Sequence, residues 1–354
     1  MGKIFLAAAV IVVVMFATYE KKVVYASEHF RDGTFHNLTE TQSKGSGNKL
    51  RSIYRILFES GKFSPEETIK AQRINPVYAN MDTGKTLQAT WLGHASVMLK
   101  QGQSKIITDP VFSKRVSPVS FLGPERYTDI NPIKGVNIGY VDAVIISHNH
   151  YDHLDEKAIK SLRKRVGMFI VPLGVGQYLE KWGVDPMRII ELDWYQSVSM
   201  PNIKITATPA LHRSGRGYYD TNKTLWASFV IEMGGHRVFF SGDSGYQEQF
   251  KQIGHEFGPF DLSLVDIGAY NAKWPYSHMT PEQAVQASGD LGSGLVMPIH
   301  WGTFTLSEFY WKEPIERFTT EADKKGVEYA TPEIGVPFTV DGVVPVERWW
   351  ERYK

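Results

Sequence analysis

The chain of 354 residues contains no cysteine. That excludes disulfides, thiolate nucleophiles, zinc sites built on thiolate and a lipid anchor carried on sulfur. Any transition metal must therefore be held by imidazole and carboxylate. An excess of either charge is also missing: 39 Lys and Arg stand against 38 Asp and Glu, a net charge of +1. Without a basic field there is little to neutralise a phosphate backbone, so no nucleic-acid partner is expected. No short-period repeat is present. Long hydrophobic runs are absent with one exception, Ile4–Ala17, about 14 apolar residues flanked by Lys3 and by Glu20-Lys21-Lys22. Such a run is long for a signal-peptide core and short for a comfortable span. Its place favours membrane targeting, either cleaved near Val24-Tyr25-Ala26 or kept as an anchor. The protein is thus expected to be membrane-associated, on the periplasmic side in a bacterium. Lysines on both flanks leave the orientation open.

What is present is a globular composition, 42% hydrophobic and 13% aromatic, able to bury a large core unaided. Three regions follow: 1–26, the hydrophobic segment; 27–84, a polar extension with a Gly/Ser/Lys-rich linker at 41–47 and a helix expected at Asn48–Glu59; and 85–354, the main domain. In the last, short β-rich runs recur, at Thr90–Lys100, Lys105–Thr108, Ala143–Ser147, Met168–Val171, Ile203–Ala207, Phe229–Met233, Arg237–Phe240, Leu262–Asp266 and Leu295–Ile299. Gly234-Gly235 marks a hairpin between two of them. Helices are expected at Glu156–Lys164, Gly176–Trp182 and Pro281–Gly289, the last behind a Thr280 cap with proline in the first turn. Strands mixed with helices predict an α/β sandwich.

The chemistry concentrates in His148-Asn149-His150-Tyr151-Asp152-His153. Two imidazoles two positions apart in extended chain point to one side, so His148 and His150 can share an ion. Asp152 and His153 follow where a loop turning into a helix aims them at a second one. Neutral imidazole is the commonest zinc ligand and carboxylate is acceptable to zinc. The cluster is too small for two ions, and three more candidates end apolar strands downstream: His212, Asp243 and His300. Active-site loops of layered α/β folds gather at such places.

With these residues in hand, the sequence resembles the metallo-β-lactamase-fold hydrolases, whose pattern is H-x-H-x-D-H followed by a distant His, an Asp and a last His. Within them it is most similar to the N-acyl-phosphatidylethanolamine-hydrolysing phospholipase D group and its bacterial relatives, from about Pro76 to Phe338. Trp91-Leu92-Gly93-His94, Thr108-Asp109-Pro110, the histidine run and Ile299-His300-Trp301-Gly302 carry the likeness. The resemblance implies a four-layer αββα sandwich and two Zn²⁺. His148, His150 and His212 would hold one ion, Asp152, His153 and His300 the other, and Asp243 would bridge them.

Other roles are assigned around that centre. Asp109 and His94 are expected behind the ligands, since a metal-bound imidazole usually gives its other N–H to a carboxylate or carbonyl. The resemblance places His278 on the substrate phosphate, and Tyr151 can offer its hydroxyl to a phosphoryl oxygen. Trp226 is expected to touch substrate, among aromatic loops suited to acyl chains or a bilayer interface. Trp349-Trp350 suits membrane or oligomer contacts, including a homodimer, or caps the core. Two ions that share a water lower its pKa toward neutrality. The expected reaction is attack of that hydroxide on phosphorus, with Asp152 or Asp243 taking the proton. It turns an N-acyl-phosphatidylethanolamine into an N-acylethanolamine and phosphatidic acid. A lactonase of the same fold, similar to ascorbate-6-phosphate lactonase, and a non-catalytic membrane-tethered binding protein are the alternatives.

Overall fold

A computed structural model of the chain describes residues 25–39, 58–217 and 219–354. The apolar run Ile4–Ala17, the linker at 41–47, almost all of the helix expected at Asn48–Glu59 and Tyr218 lie outside the described residues. No described helix is long and apolar enough to cross a membrane.

A small hairpin, β1 (Phe30–Arg31) and β2 (Thr34–Phe35), leads to the short helix α1 (Pro76–Asn80). The first half of the main domain holds β3 (Leu87–Gly93), β4 (Ser96–Gln101), β5 (Ser104–Thr108), β6 (Val141–Ile145), helix α2 (Glu156–Leu162), β7 (Val166–Pro172), helix α3 (Gly176–Lys181) and β8 (Ile189–Leu192). The second holds β9 (Ser197–Met200), β10 (Ile203–Thr208), β11 (Ser228–Met233), β12 (His236–Phe240), helix α4 (Gln249–Phe257), β13 (Phe260–Asp266), helix α5 (Pro281–Leu291), β14 (Ser293–Ile299), helix α6 (Glu313–Lys325) and β15 (Pro337–Thr339).

These strands form two mixed sheets. One runs β15-β3-β4-β5-β6-β7-β8 and the other β14-β13-β12-β11-β10-β9. In each, antiparallel strands give way to parallel strands, all but the β5–β6 pair joined through helices. The period-two alternation of a strand sorts side chains between layers. In β3 and β4, Ala89, Trp91, Val97 and Leu99 enter the core shared with the second sheet. Leu92 and Met98 face the other way, into a separate core with Ile159 and Leu162 of α2 and Leu179 of α3. Helices α4, α5 and α6 cover the second sheet through Phe250, Ala284, Leu291 and Phe318. The result is the αββα sandwich.

The expected strand Thr90–Lys100 is two strands. Gly93 and His94 take left-handed φ of 99° and 57°, and the chain reverses there into β4. Helix α5 carries the expected Thr280 cap as a full capping box, Thr280 Oγ1 accepting from Gln283 N and Gln283 Oε1 from Thr280 N. The polar extension is part of the domain: Phe35 is fully buried, and Gln72 N donates to Ile334 O. Trp349 and Trp350 cap the core, both nearly fully buried, with Trp349 stacked on Trp301.

Candidate metal centre

The functional side chains stand at one edge of the sandwich, just beyond the ends of strands. Asp109 follows β5, the run His148–His153 follows β6, His212 follows β10, Asp243 follows β12, Asp266 ends β13 and His300 follows β14. His94 occupies the β3–β4 turn. Of the eight described non-glycine residues at positive φ, four lie here: His94, Asp109, Ala269 and His300. Backbone strain of this kind persists only where surrounding structure over-determines it.

Seven residues converge in two sets. In the first, His150 Nδ1 is 2.7 Å from His148 Nε2 and 3.3 Å from His212 Nε2. Asp243 Oδ2 lies 3.6 Å from the Nε2 atoms of both His148 and His212. In the second, Asp152 Oδ2 lies 3.3 Å from the Nε2 atoms of His153 and His300, and Asp243 Oδ1 lies 3.1 and 3.2 Å from the same two atoms. Asp243 thus offers one oxygen to each set. His94 Nε2 adds a contact of 3.0 Å to Asp152 Oδ2.

These atoms fit metal better than each other. Four ligands at the 2.0–2.2 Å of a zinc bond stand roughly 3.4 Å apart along the edges of a tetrahedron, close to most of these separations. His153 Nε2 and Asp243 Oδ1 are buried and near, yet neither has a hydrogen-bond partner. They aim at a common point, and buried polar atoms left so need an explanation such as an ion.

The outer nitrogens are held so that the inner ones are free to bind. His153 Nδ1 donates to Asp109 Oδ2 at 2.6 Å. His148 Nδ1 donates to Ser147 Oγ, which donates in turn to Asp109 Oδ2. His212 Nδ1 donates to the Ser277 carbonyl at 2.8 Å. His300 Nδ1 is 3.5 Å from Asp266 Oδ1, and Asp266 Oδ2 accepts from His278 Nδ1 at 2.9 Å. Asp109 therefore stands behind two ligand histidines and Asp266 next to a third. Asp266 carries no motif of its own, and in the sequence it is only the last residue of a strand.

Three further features escape sequence reading. Asn37, in the polar extension, brackets His212: its Nδ2 donates to His212 O and its Oδ1 accepts from His212 N. Arg216 clamps the histidine run, its Nη1 donating to the carbonyls of Asn149 and Leu154 at 2.8 Å, and its guanidinium lies 3.8 Å from the centre of the Tyr151 ring. Asn149 Oδ1 accepts from Gly215 N at 2.7 Å and so ties the same two loops together. Tyr151 is half-buried beneath Arg216, and burial raises its phenol pKa. His278 lies beside both sets, its ring 5.1 Å from that of His212 and 5.2 Å from that of His300. Trp226 is elsewhere. It is 1% exposed, with its indole N–H given to Ala210 O and Asn37 Oδ1, so it has no face to offer a substrate.

Charge separates the two sets. Burial lowers His148, His150 and His212, and holds His150 at about 3; His94, beside the second set, is likewise lowered to about 3 by burial. Burial also acts against charge on His153, but Asp243, Asp152 and Asp109 outweigh it and raise its pKa. His300 is raised against burial too, by Asp243 and Asp266. Burial opposes the charge on Asp152 and Asp243, yet His153 above all holds both well below the usual carboxylate range.

A pH dependence follows for protein stripped of metal. Above pH 6.5 the four lowered imidazoles are neutral whether folded or unfolded. Below it the unfolded chain takes up protons that the folded site refuses, at about 1.4 kcal/mol per pH unit for each group. The contribution of His153 and His300 is already complete at pH 6.5, and Asp152 and Asp243 withdraw theirs only below pH 3.8. The urea midpoint of chelator-treated protein should therefore fall steeply from pH 6.5 to pH 4. A flat profile over that window would mean that the buried imidazoles titrate normally.

Comparison with known proteins bears on this geometry. A beta-lactamase superfamily domain is matched over residues 104–301. An uncharacterized protein of Mycobacterium tuberculosis is 40% identical over 92% of this chain and 87% of its own length. The N-acyl-phosphatidylethanolamine-hydrolyzing phospholipase D 1 of Caenorhabditis elegans is 34% identical over 85% of this chain and 91% of its own. Among solved structures, a metallo hydrolase from the archaeon Ignicoccus hospitalis superposes with a TM-score of 0.55, covering 73% of this chain and all of that one at 23% identity. The last comparison bears on the fold alone.

Proposed function

This chain belongs to the beta-lactamase superfamily as a metal-dependent hydrolase, and on that premise we propose that it is a two-zinc phosphodiesterase of phospholipase D type acting on N-acyl-phosphatidylethanolamine. The observation that carries the two-metal part is Asp243, with one oxygen 3.6 Å from His148 and His212 and the other 3.1–3.2 Å from His153 and His300. Five imidazoles and two carboxylates, with no sulfur, form a donor set that suits zinc in near-tetrahedral geometry. His148, His150 and His212 would hold one ion and Asp152, His153 and His300 the other, with an oxygen of Asp243 offered to each. Bound there, the ions supply positive charge to phosphoryl oxygens and acidity to a water.

The substrate class is supported by the worm relative and by the residues beside the ligands. Hydrolysis forms one P–O bond from water and breaks the one to the ethanolamine oxygen, which leaves with a proton. His278 is fixed at Nδ1 by Asp266, and its ring is partly exposed beside the centre. Its Nε2 accepts a proton when the ring is neutral and donates one when it is charged, the task a general acid–base group performs. Tyr151, steadied by Arg216, stands within the ligand run, and its hydroxyl is suited to donate to a phosphoryl oxygen. A membrane surface is the natural source of this substrate, and the segment Ile4–Ala17 is suited to keep the protein there.

The test is product identification by mass spectrometry after incubating zinc-loaded protein with an N-acyl-phosphatidylethanolamine and, separately, with a lactone. N-acylethanolamine and phosphatidic acid in equal amounts are expected. Lactone opening with the lipid left intact would overturn the phosphodiesterase reading and leave the metal centre as described.

A further inference from the structure

The histidine run and the last ligand are tied down through the backbone of the main domain: Ala227 N donates to Ser147 O, and His300 N donates to His94 O. His212 is held differently. Among the described residues, its N–H and C=O meet no other backbone group. Both go to one side chain of the polar extension. Asn37 Nδ2 donates to His212 O at 2.9 Å, and His212 N donates to Asn37 Oδ1 at 3.2 Å. A side-chain amide suits this double task because it carries a donor and an acceptor side by side. His212 is only 4% exposed, so without Asn37 a buried donor and a buried acceptor would lose their partners.

The neighbours of His212 do not replace that hold. Leu211 is fixed by Ser244 Oγ and by Gly245 N, and Ser214 by Asn222 Oδ1. Between them the peptide of His212 rests on Asn37. On the ring, Nδ1 is given to Ser277 O at 2.8 Å, and Nε2 stands 3.3 Å from His150 Nδ1 in the first ligand set. The place of Nε2 therefore depends on two anchors, Ser277 for the ring and Asn37 for the backbone.

Asn37 is itself firmly seated. Phe35, two residues earlier, is fully buried against Phe30 and Tyr25, and its N–H is given to Asn222 O. Lys223 Nζ holds Gly33 O, and Trp226 Nε1 donates to Asn37 Oδ1 at 3.0 Å. The amide is oriented before it meets His212. An asparagine that only fastened the extension could bind any backbone of the domain. This one takes both polar groups of a ligand.

We propose that Asn37 is a positioning residue of the metal centre: it fixes the peptide of His212 and thereby sets the affinity for the ion that His148, His150 and His212 would hold. The inference rests on the two-metal centre proposed above and is independent of the substrate.

The experiment uses the full-length protein and the variants Asn37→Ala and Phe35→Leu, with Asn37→Ser in place of the first should it fail to fold. Each is stripped with chelator, then titrated with Zn²⁺ against a chromophoric chelator and with Co²⁺, whose visible absorption reports ligand geometry. The parent should take up two ions. Asn37→Ala should bind one of them roughly tenfold to a hundredfold more weakly, with an altered cobalt spectrum, while the other ion changes much less. Phe35→Leu loosens the same extension without touching the peptide of His212. It should lower the thermal midpoint and leave both affinities and the spectrum as in the parent. In chelator, the His212 amide should exchange its hydrogen faster in Asn37→Ala than in Phe35→Leu. Affinities and spectra equal in Asn37→Ala and the parent, or an equal loss in Phe35→Leu, would overturn the proposal and leave Asn37 a fastening for the extension. A parent that takes up no ion would instead overturn the metal centre, and this inference with it.

Discussion

Replacing Asp243 with asparagine should lower bound metal from two ions per chain to one or none and cut turnover by at least about a thousandfold, without unfolding the chain. The carboxylate is the one side chain whose two oxygens face both ligand sets. Asparagine keeps its shape but not its charge, and an amide nitrogen cannot bind a cation. Removing a single group that stabilises developing charge commonly costs a hundredfold to a thousandfold, and this change also removes the shared ligand of two ions. The fold should survive because Asp243 Oδ1 is buried without a hydrogen-bond partner, so no structural element depends on it. Its charge is nevertheless drawn to His153 and His300, whose pKa values it raises. In chelator near neutral pH, Asp243→Asn should therefore remain folded but unfold in urea somewhat earlier than the parent. With zinc present the parent should gain more stability than the variant, since a ligand stabilises only the state that binds it. Elemental analysis, turnover and paired urea curves read these outcomes. An Asp243→Asn protein that holds two ions and turns over normally would remove the bridge from the site.

Much of this centre was legible because its ligands share a local rule, each standing just past an apolar strand. His212, Asp243 and His300 are ordinary loop residues taken singly, and β10, β12 and β14 bring them to one edge. The strands themselves were visible as short β-rich runs, and helix α5 announced itself through Thr280 and Pro281. Elements without such signals were not foreseen. Helices α4 and α6 are amphipathic but rich in charge, and their buried faces, Phe250 with Ile253 and Ile315 with Phe318, are narrow. The hairpin β3–β4 read as one strand because its turn is only His94 and Ala95. Residues that support the ligands were harder still. Arg216 and Asn37 look like solvent-facing polar groups until tertiary contacts, across 66 and 175 positions of chain, give them carbonyls and amides to bind. Asn149 carries no signal of its own within the histidine run, and only its contact with Gly215 gives it a structural part; Tyr151 is likewise held by Arg216. Trp226 shows the converse error, an aromatic residue near the ligands that the core claims.

Substituting Gly268 by alanine should damage both stability and metal binding, although the residue touches no ligand through a side chain of its own. Gly268 follows Asp266 by two positions, and its N–H donates to Asp266 Oδ1. A methyl group there would stand 1.9 Å from the His300 carbonyl oxygen and 3.0 Å from His300 Nδ1. Neither backbone can yield freely. Ile267 N donates to Ile299 O, and His300 N donates to His94 O. His300 must therefore shift by something near an ångström, and Asp266 with it. Overpacking of this kind costs about 1–3 kcal/mol, and more where backbone is the obstacle. A misplacement of about 1 Å at a reacting centre costs roughly a hundredfold in rate. The expected result is a lower urea midpoint, loss of the ion proposed for Asp152, His153 and His300, and a hundredfold or greater fall in turnover. Gly289→Ala is the matched control. Gly289 lies in helix α5, and a methyl group there meets nothing within 4 Å. Alanine in a helix interior gains about 0.5–1 kcal/mol over glycine, so that variant should be slightly more stable and fully active. If Gly268→Ala kept both ions and its activity, the close packing of residues 268 and 300 would not be what fixes the last ligand.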